Sequence, residues 1–162
     1  MAKIEHTGLD AYMKALGRLE QNAKEEICGR AIYQGADIVA NSIREQLNAV
    51  KPDETFGTSD NPSKAPKTVQ LQGLKKSLGI SKMRNDSGYL NVKIGFGGYN
   101  SVKTKRWPKG QPNLMVARAM ESGTSWMRKN PVVRNGTKKT KFYALEAMQD
   151  SVEQSIKKIM KG

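Results

Sequence analysis

Apolar residues recur every three or four positions in three stretches of the chain. Leu9, Tyr12, Met13, Leu16 and Leu19 make the first run, behind Thr7 and Asp10, whose side-chain oxygens suit a helix start. Cys28, Ile32, Ala36, Val39, Ile43, Leu47 and Val50 make the second. They form one face of a helix of about seven turns, ending where Pro52 biases Lys51 away from helical geometry. Gly29 and Gly35 within it cost roughly 1 kcal/mol each against alanine. Either a neighbouring element packs closely there or the helix tolerates them. The third stripe, Phe142, Leu145, Met148, Val152, Ile156 and Ile159, predicts a C-terminal helix from about Thr137 to Met160. Lys157, Lys158 and Lys161 in its last turn suit the helix dipole.

Between these stripes the period changes. TVQLQGLKKS (68–77) reads as a short helix launching a strand. Leu78 and Ile80 then alternate, Asn85-Asp-Ser-Gly88 supplies turn residues, and Leu90, Val92, Ile94 and Phe96 alternate on the return, which predicts a β-hairpin over 78–96. Tyr89, Asn91 and Lys93 fall on the opposite face, so one face is buried and the other wet or shared. NLMVARAME (113–121) is a short, largely apolar element. KIEH (3–6) and part of 113–122 are the candidates for further strands. The expected fold is α+β: a small antiparallel sheet packed against a long helix in the N-terminal half and a C-terminal helix.

A chain of 162 residues supports one domain, 1–162. Two segments read as mobile loops. Residues 51–67 carry three prolines and almost no apolar anchors, and residues 97–112 hold Lys103, Lys105, Arg106 and Lys109 around Trp107. The net charge of +13 is uneven: residues 64–110 carry eleven lysines and arginines against Asp86 alone. Such a segment is either a solvated face or one that meets a polyanion, nucleic acid or an acidic protein. One cysteine, Cys28, excludes an internal disulfide and fits a reducing compartment. No secretory signal or apolar run of about 20 residues is present, so a soluble protein of the cytoplasm is expected.

Most catalytic schemes lack their residues. The only histidine, His6, lies near the N-terminus, so a Ser–His–carboxylate triad has nowhere to form around Ser122 or Ser125, and a Cys–His pair would need Cys28 to leave its core stripe. Zinc or iron held by clustered His and Cys is likewise out of reach. Glu146, Asp150 and Glu153 share a helix face and are better read as partners of Lys157 and Lys158 than as metal ligands. IGFGGYNS (94–101) lacks both the third glycine of a dinucleotide fingerprint and the Gly-Lys-Ser/Thr of a phosphate loop. No enzyme activity and no cofactor are expected.

The order of elements, with GLDAYMKAL opening the first helix, LKKSLGISKM entering the hairpin, ARAMESGTS, a proline and a lysine-ended C-terminal helix, resembles the minor tail or neck protein family of long-tailed bacteriophages, the gene-product-ten-like family of HK-97-type phages. Glu121, Gly123, Thr124 and Pro131 occupy that family's Glu-x-Gly-Thr and following proline positions, across a likeness running from Gly8 to Lys161. Ser122 stands where the family often has an aromatic, and Pro131-Val132 where it often has Pro-Phe. The resemblance implies a structural virion protein of a phage or prophage, at the head–tail junction, in tail completion or head–tail joining. It further implies a ring of copies, commonly six-fold, touching other neck and tail proteins. Such a protein assembles in the host cytoplasm and needs no membrane, and its basic loops could meet DNA in the ring's lumen. The alternative is a basic nucleic-acid-binding module using Lys103, Lys105, Arg106, Trp107 and Lys109.

Overall fold

A computed structural model describes residues 9–22 and 26–161; the candidate strand KIEH and His6 lie outside them. In chain order the elements are α1 (Leu9–Asn22), α2 (Cys28–Ala49), α3 (Thr68–Ser77), β1 (Leu78–Ile80), β2 (Arg84–Asp86), β3 (Tyr89–Asn91), β4 (Ile94–Phe96), α4 (Asn113–Ser122) and α5 (Val132–Lys161). The fold is α+β, a small antiparallel hairpin set among helices, of which α2 and α5 form the principal pair.

The core gathers one fully buried side chain from each of four helices: Leu47 of α2, Leu74 of α3, Met120 of α4 and Val132 of α5. Ile43, Leu71, Leu78, Val116, Ala117, Ala119 and Met127 complete it. No large aromatic sits at its centre, as the 6% aromatic content foretells.

The α2–α5 contact is closer than the large apolar residues of α5 suggest. A methyl group at Gly136 of α5 would lie 3.0 Å from the Ile43 backbone nitrogen and 3.1 Å from its Cα. One at Gly35 of α2 would lie 2.5 Å from the Met148 sulfur. Gly35 is therefore a point of close packing. The inward line of α5 is Val132, Gly136, Ala144 and Ser151. Of the expected apolar stripe, Met148 reaches α2, but Phe142 is 85% and Leu145 54% exposed. Where the helices are closest they admit only small side chains between their backbones, so Phe142 and Leu145 are turned outward, while Val152, Ile156 and Ile159 farther along are half-buried. On α1 likewise, Ala15 is buried while Met13 and Leu16 are exposed.

The hairpin forms where expected, with one irregularity. β1 pairs with β4 (Leu78 opposite Phe96, Ile80 opposite Ile94), and β2 with β3 (Arg84 opposite Asn91, Asp86 opposite Tyr89). Three residues, 81–83, thus oppose two, 92 and 93, which is a β-bulge. Tyr33 of α2 closes it: its hydroxyl accepts the Met83 N–H at 2.9 Å. The Ser81 N–H donates to the Lys93 carbonyl at 2.8 Å, and the Lys93 N–H to the Ser81 hydroxyl at 2.9 Å. The turn is confined to Ser87 and Gly88, whose φ values of 56° and 89° are those of a tight two-residue hairpin loop.

Residues 113–122, a candidate strand by sequence, are helical. Val116, Ala117, Ala119 and Met120 are buried, the i, i+3, i+4 spacing of a helix face. The C-terminal helix begins at Val132 rather than near Thr137, because a carboxylate from outside the helix caps it.

Candidate functional site

Two regions hold the residues singled out by sequence, and they differ in kind. Glu121, Gly123, Thr124 and Pro131 meet at the corner joining α4 to α5. Glu121, in the last turn of α4, accepts the backbone N–H groups of Val133 and Arg134, both at 3.0 Å, one on each carboxylate oxygen. A helix start leaves such donors without intrahelical partners, and α5 has no acidic residue in its own first turn. Gly123 ends α4 at φ +76°, where its N–H still bonds the Ala119 carbonyl and a side chain would press on the Lys129 backbone. The Thr124 N–H bonds the Met127 carbonyl at 2.8 Å around a turn that carries Trp126 outward. The Pro131 carbonyl accepts the Asn135 N–H, the first turn of α5.

Replacing Glu121 by alanine should therefore lower stability by about 1–2 kcal/mol. Amide hydrogen exchange should accelerate first at Val133 and Arg134. A change confined to other segments would contradict the capping role.

Residues 51–67 dock on this corner. The Ser63 N–H bonds the Trp126 carbonyl at 3.0 Å, and the Ser63 carbonyl accepts the Arg128 N–H at 2.8 Å. Gly57 lies so close to the Trp126 carbonyl that no side chain fits there. Two acids fix the path of this exposed segment. Asp53 accepts the Thr55 hydroxyl and backbone N–H and the Lys64 N–H. Glu54 accepts the N–H and hydroxyl of Thr68, capping α3 as Glu121 caps α5.

The Thr55 hydroxyl bond first, then the two backbone N–H bonds, hold Asp53 down from 3.8 to about 2. The Thr68 bonds lower Glu54 in the same direction. A depressed carboxylate stabilises the fold above its unfolded value and loses that contribution as pH falls through its folded one. The Thr55 and Lys64 amides should thus stay protected at pH 5, and lose protection as pH drops from 3.8 toward about 2. Asp53→Asn should abolish that pH dependence. Protection unchanged across the window would contradict the tie.

The second region is the loop after β4. The Asn100 N–H bonds the Gln111 carbonyl at 2.9 Å, and Tyr99 pairs with Pro112, so the two ends of the loop run side by side. Gly110, buried and at φ +119°, permits this: a side chain there would strike the Asn100 carbonyl. Thr104 and Trp107 exchange backbone hydrogen bonds of 3.1 and 3.0 Å, folding the tip. Lys103, Lys105, Arg106 and Lys109 are exposed, Trp107 is half-buried, and the Arg106 guanidinium lies 5.8 Å from the Trp107 ring centre.

Beside Trp107 the loop encloses an open cleft of about 390 Å³ lined by Tyr99, Trp107, Pro108, Lys109 and Gly110. Tyr99, 67% exposed, is the functional candidate that the sequence did not single out. Its neighbour Asn100 is buried and anchors the loop by accepting the Val102 N–H at 2.9 Å.

Glu146, Asp150 and Glu153 lie exposed along α5. Glu153 accepts from Gln149 at 3.0 Å and pairs with Lys157 at 3.9 Å. Among the described residues no group of three His, Cys, Asp or Glu could hold a metal ion, and no described helix is long and apolar enough to cross a membrane. No protein-family model, curated protein or solved structure matches the chain.

Proposed function

We propose that this chain is a structural virion protein of a long-tailed phage or prophage. It acts at the head–tail junction, in tail completion or head–tail joining, as a ring of copies in contact with other neck and tail proteins. It has no catalytic role and is assembled in the host cytoplasm. The resemblance around Glu121, Gly123, Thr124 and Pro131 suggests the role. The observation that supports it best is the outer side of α5, where Phe142 and Leu145, three residues apart and so neighbours on the helix, are both exposed, with Tyr143 exposed on the flank. Apolar surface held in water gains about 25 cal/mol per Å² on burial against a neighbour, which favours covering Phe142 and Leu145 in an assembly.

Light scattering over a concentration series tests the ring. The expected result is a discrete multiple of the 17.9 kDa chain, reduced to monomers by Phe142→Asp with Leu145→Asp while the circular dichroism spectrum of the folded chain stays the same. A monomer at every concentration would contradict it.

A second reading, a nucleic-acid-binding module, draws on the exposed Lys103, Lys105, Arg106 and Lys109 beside the aromatic cleft. Affinity for DNA should then fall steeply with salt, because each phosphate neutralised releases counterions. The two readings are compatible where a ring surrounds DNA.

A further inference from the structure

We propose that the cleft between Tyr99 and Trp107 is a stacking site for an unpaired base of a single-stranded nucleic acid, with the surrounding cations on its phosphates. This deepens the nucleic-acid reading of the same loop and rests on it. Three observations carry it.

The first is shape. Two aromatic side chains, Tyr99 at the base of the loop, where Asn100–Gln111 and Tyr99–Pro112 pair across Gly110, and Trp107 at its tip, line one open cleft of about 390 Å³. Tyr99 presents its ring to solvent, held there by backbone contacts.

The second is charge. Between Asp86 and Glu121 the chain has no acidic residue, while Lys93, Lys103, Lys105, Arg106, Lys109 and Arg118 fall in that interval. The flanking cations therefore have no local carboxylate partner in sequence, and the only ion pairs found among the described residues lie on other segments. A ligand with a planar apolar face and repeated negative charge fits both features. Paired bases keep their faces within the helical stack, so a duplex offers the phosphates without the planes.

The third is order: residues 97–112, read from sequence as a mobile loop, have a hydrogen-bonded tip. The tip is fixed by the reciprocal Thr104–Trp107 backbone bonds, the Thr104 hydroxyl accepting the Trp107 N–H at 3.1 Å, and the Gly110 N–H on the Trp107 carbonyl at 3.1 Å. A platform already ordered loses little entropy when a base settles on it.

The test uses the full chain with Trp126→Phe, so that Trp107 is the sole tryptophan, and follows its fluorescence. Oligo-dT should quench it, a DNA duplex and heparin should quench it little, and affinity for oligo-dT should fall steeply with salt. Tyr99→Ala should weaken oligo-dT binding roughly ten-fold, the scale of one lost stacking partner. Tyr99→Phe should retain binding, and heparin affinity should not change in either variant. Lys105→Gln with Lys109→Gln should weaken oligo-dT and heparin together.

If duplex and oligo-dT bind equally and Tyr99→Ala changes neither, stacking is wrong while the electrostatic reading stands. If neither nucleic acid binds at physiological salt, both are wrong. Quenching by a proline-rich peptide in place of oligo-dT would also overturn the proposal, since aromatic grooves take such peptides.

Discussion

Gly136→Leu should be among the most destabilising single substitutions in the chain, costing about 3 kcal/mol or more. An added methyl at Gly136 would meet the α2 backbone at Ile43, its nitrogen at 3.0 Å and its Cα at 3.1 Å, as well as the Ile43 Cγ1 at 3.0 Å. A leucine must therefore force the helix axes apart. Overpacking ordinarily costs about 1–3 kcal/mol and rises where the obstacle cannot rotate away. For a chain of this size the melting temperature should fall by roughly 6–12 °C. Gly35→Ala supplies the contrast, because the atom it meets is the Met148 sulfur, the flexible part of a side chain. Its cost should stay well below that of Gly136→Leu. Urea unfolding of the two variants checks both, and a Gly136→Leu protein within about 1 kcal/mol of the parent would mean the helices are not in close contact.

Leu74→Ala should cost about 2–5 kcal/mol. Leu74 is fully buried where α2, α3, α4 and α5 meet, packed in one cluster with Leu47, Met120 and Val132. Removing its side chain leaves a cavity that four helices cannot close together without disturbing the Glu121 cap and the α2–α5 contact. Leu114, exposed on α4, is the matched control. Leu114→Ala should change stability by about 0.5 kcal/mol or less. Equal effects at the two positions would contradict the placement of the core.

Local periodicity was enough to read α2, the short helix α3 and the hairpin, because each carries its signal within its own residues: a stripe ending at Pro52, a helix start at Thr68, and Ser87-Gly88 between alternating runs. What escaped was set by contacts distant in sequence. The start of α5 depends on Glu121, twelve and thirteen residues before the amides it caps, so no first-turn residue announces it. The orientation of α5 follows from Gly136 meeting Ile43. A count of large apolar residues selects Phe142 and Leu145 as core, whereas close approach selects glycine, alanine and serine.

The bulge at 81–83 is stabilised by Tyr33, fifty residues earlier than Met83. Segment 113–122 was open between strand and helix because ten residues with a short apolar run satisfy either period. At the candidate site, the basic cluster and Trp107 were evident from composition. Tyr99 joined them only through the pairing of the loop ends, which Gly110 allows.

Among the described residues, the exposed Phe142 and Leu145 of α5 and the basic loop after β4 are the surfaces on which the two proposed roles draw. The Glu121 corner holds α4, α5 and the 51–67 segment in one arrangement, which would fix α5's outer face relative to the rest of the subunit.

The most direct test of the proposed virion role deletes the gene that encodes this chain from its source genome and images the particles formed by negative stain. Filled heads and separate, unjoined tails are expected, with joining restored by the parent chain and not by Phe142→Asp with Leu145→Asp. Normal, infectious, fully joined particles from the deletion would contradict the account.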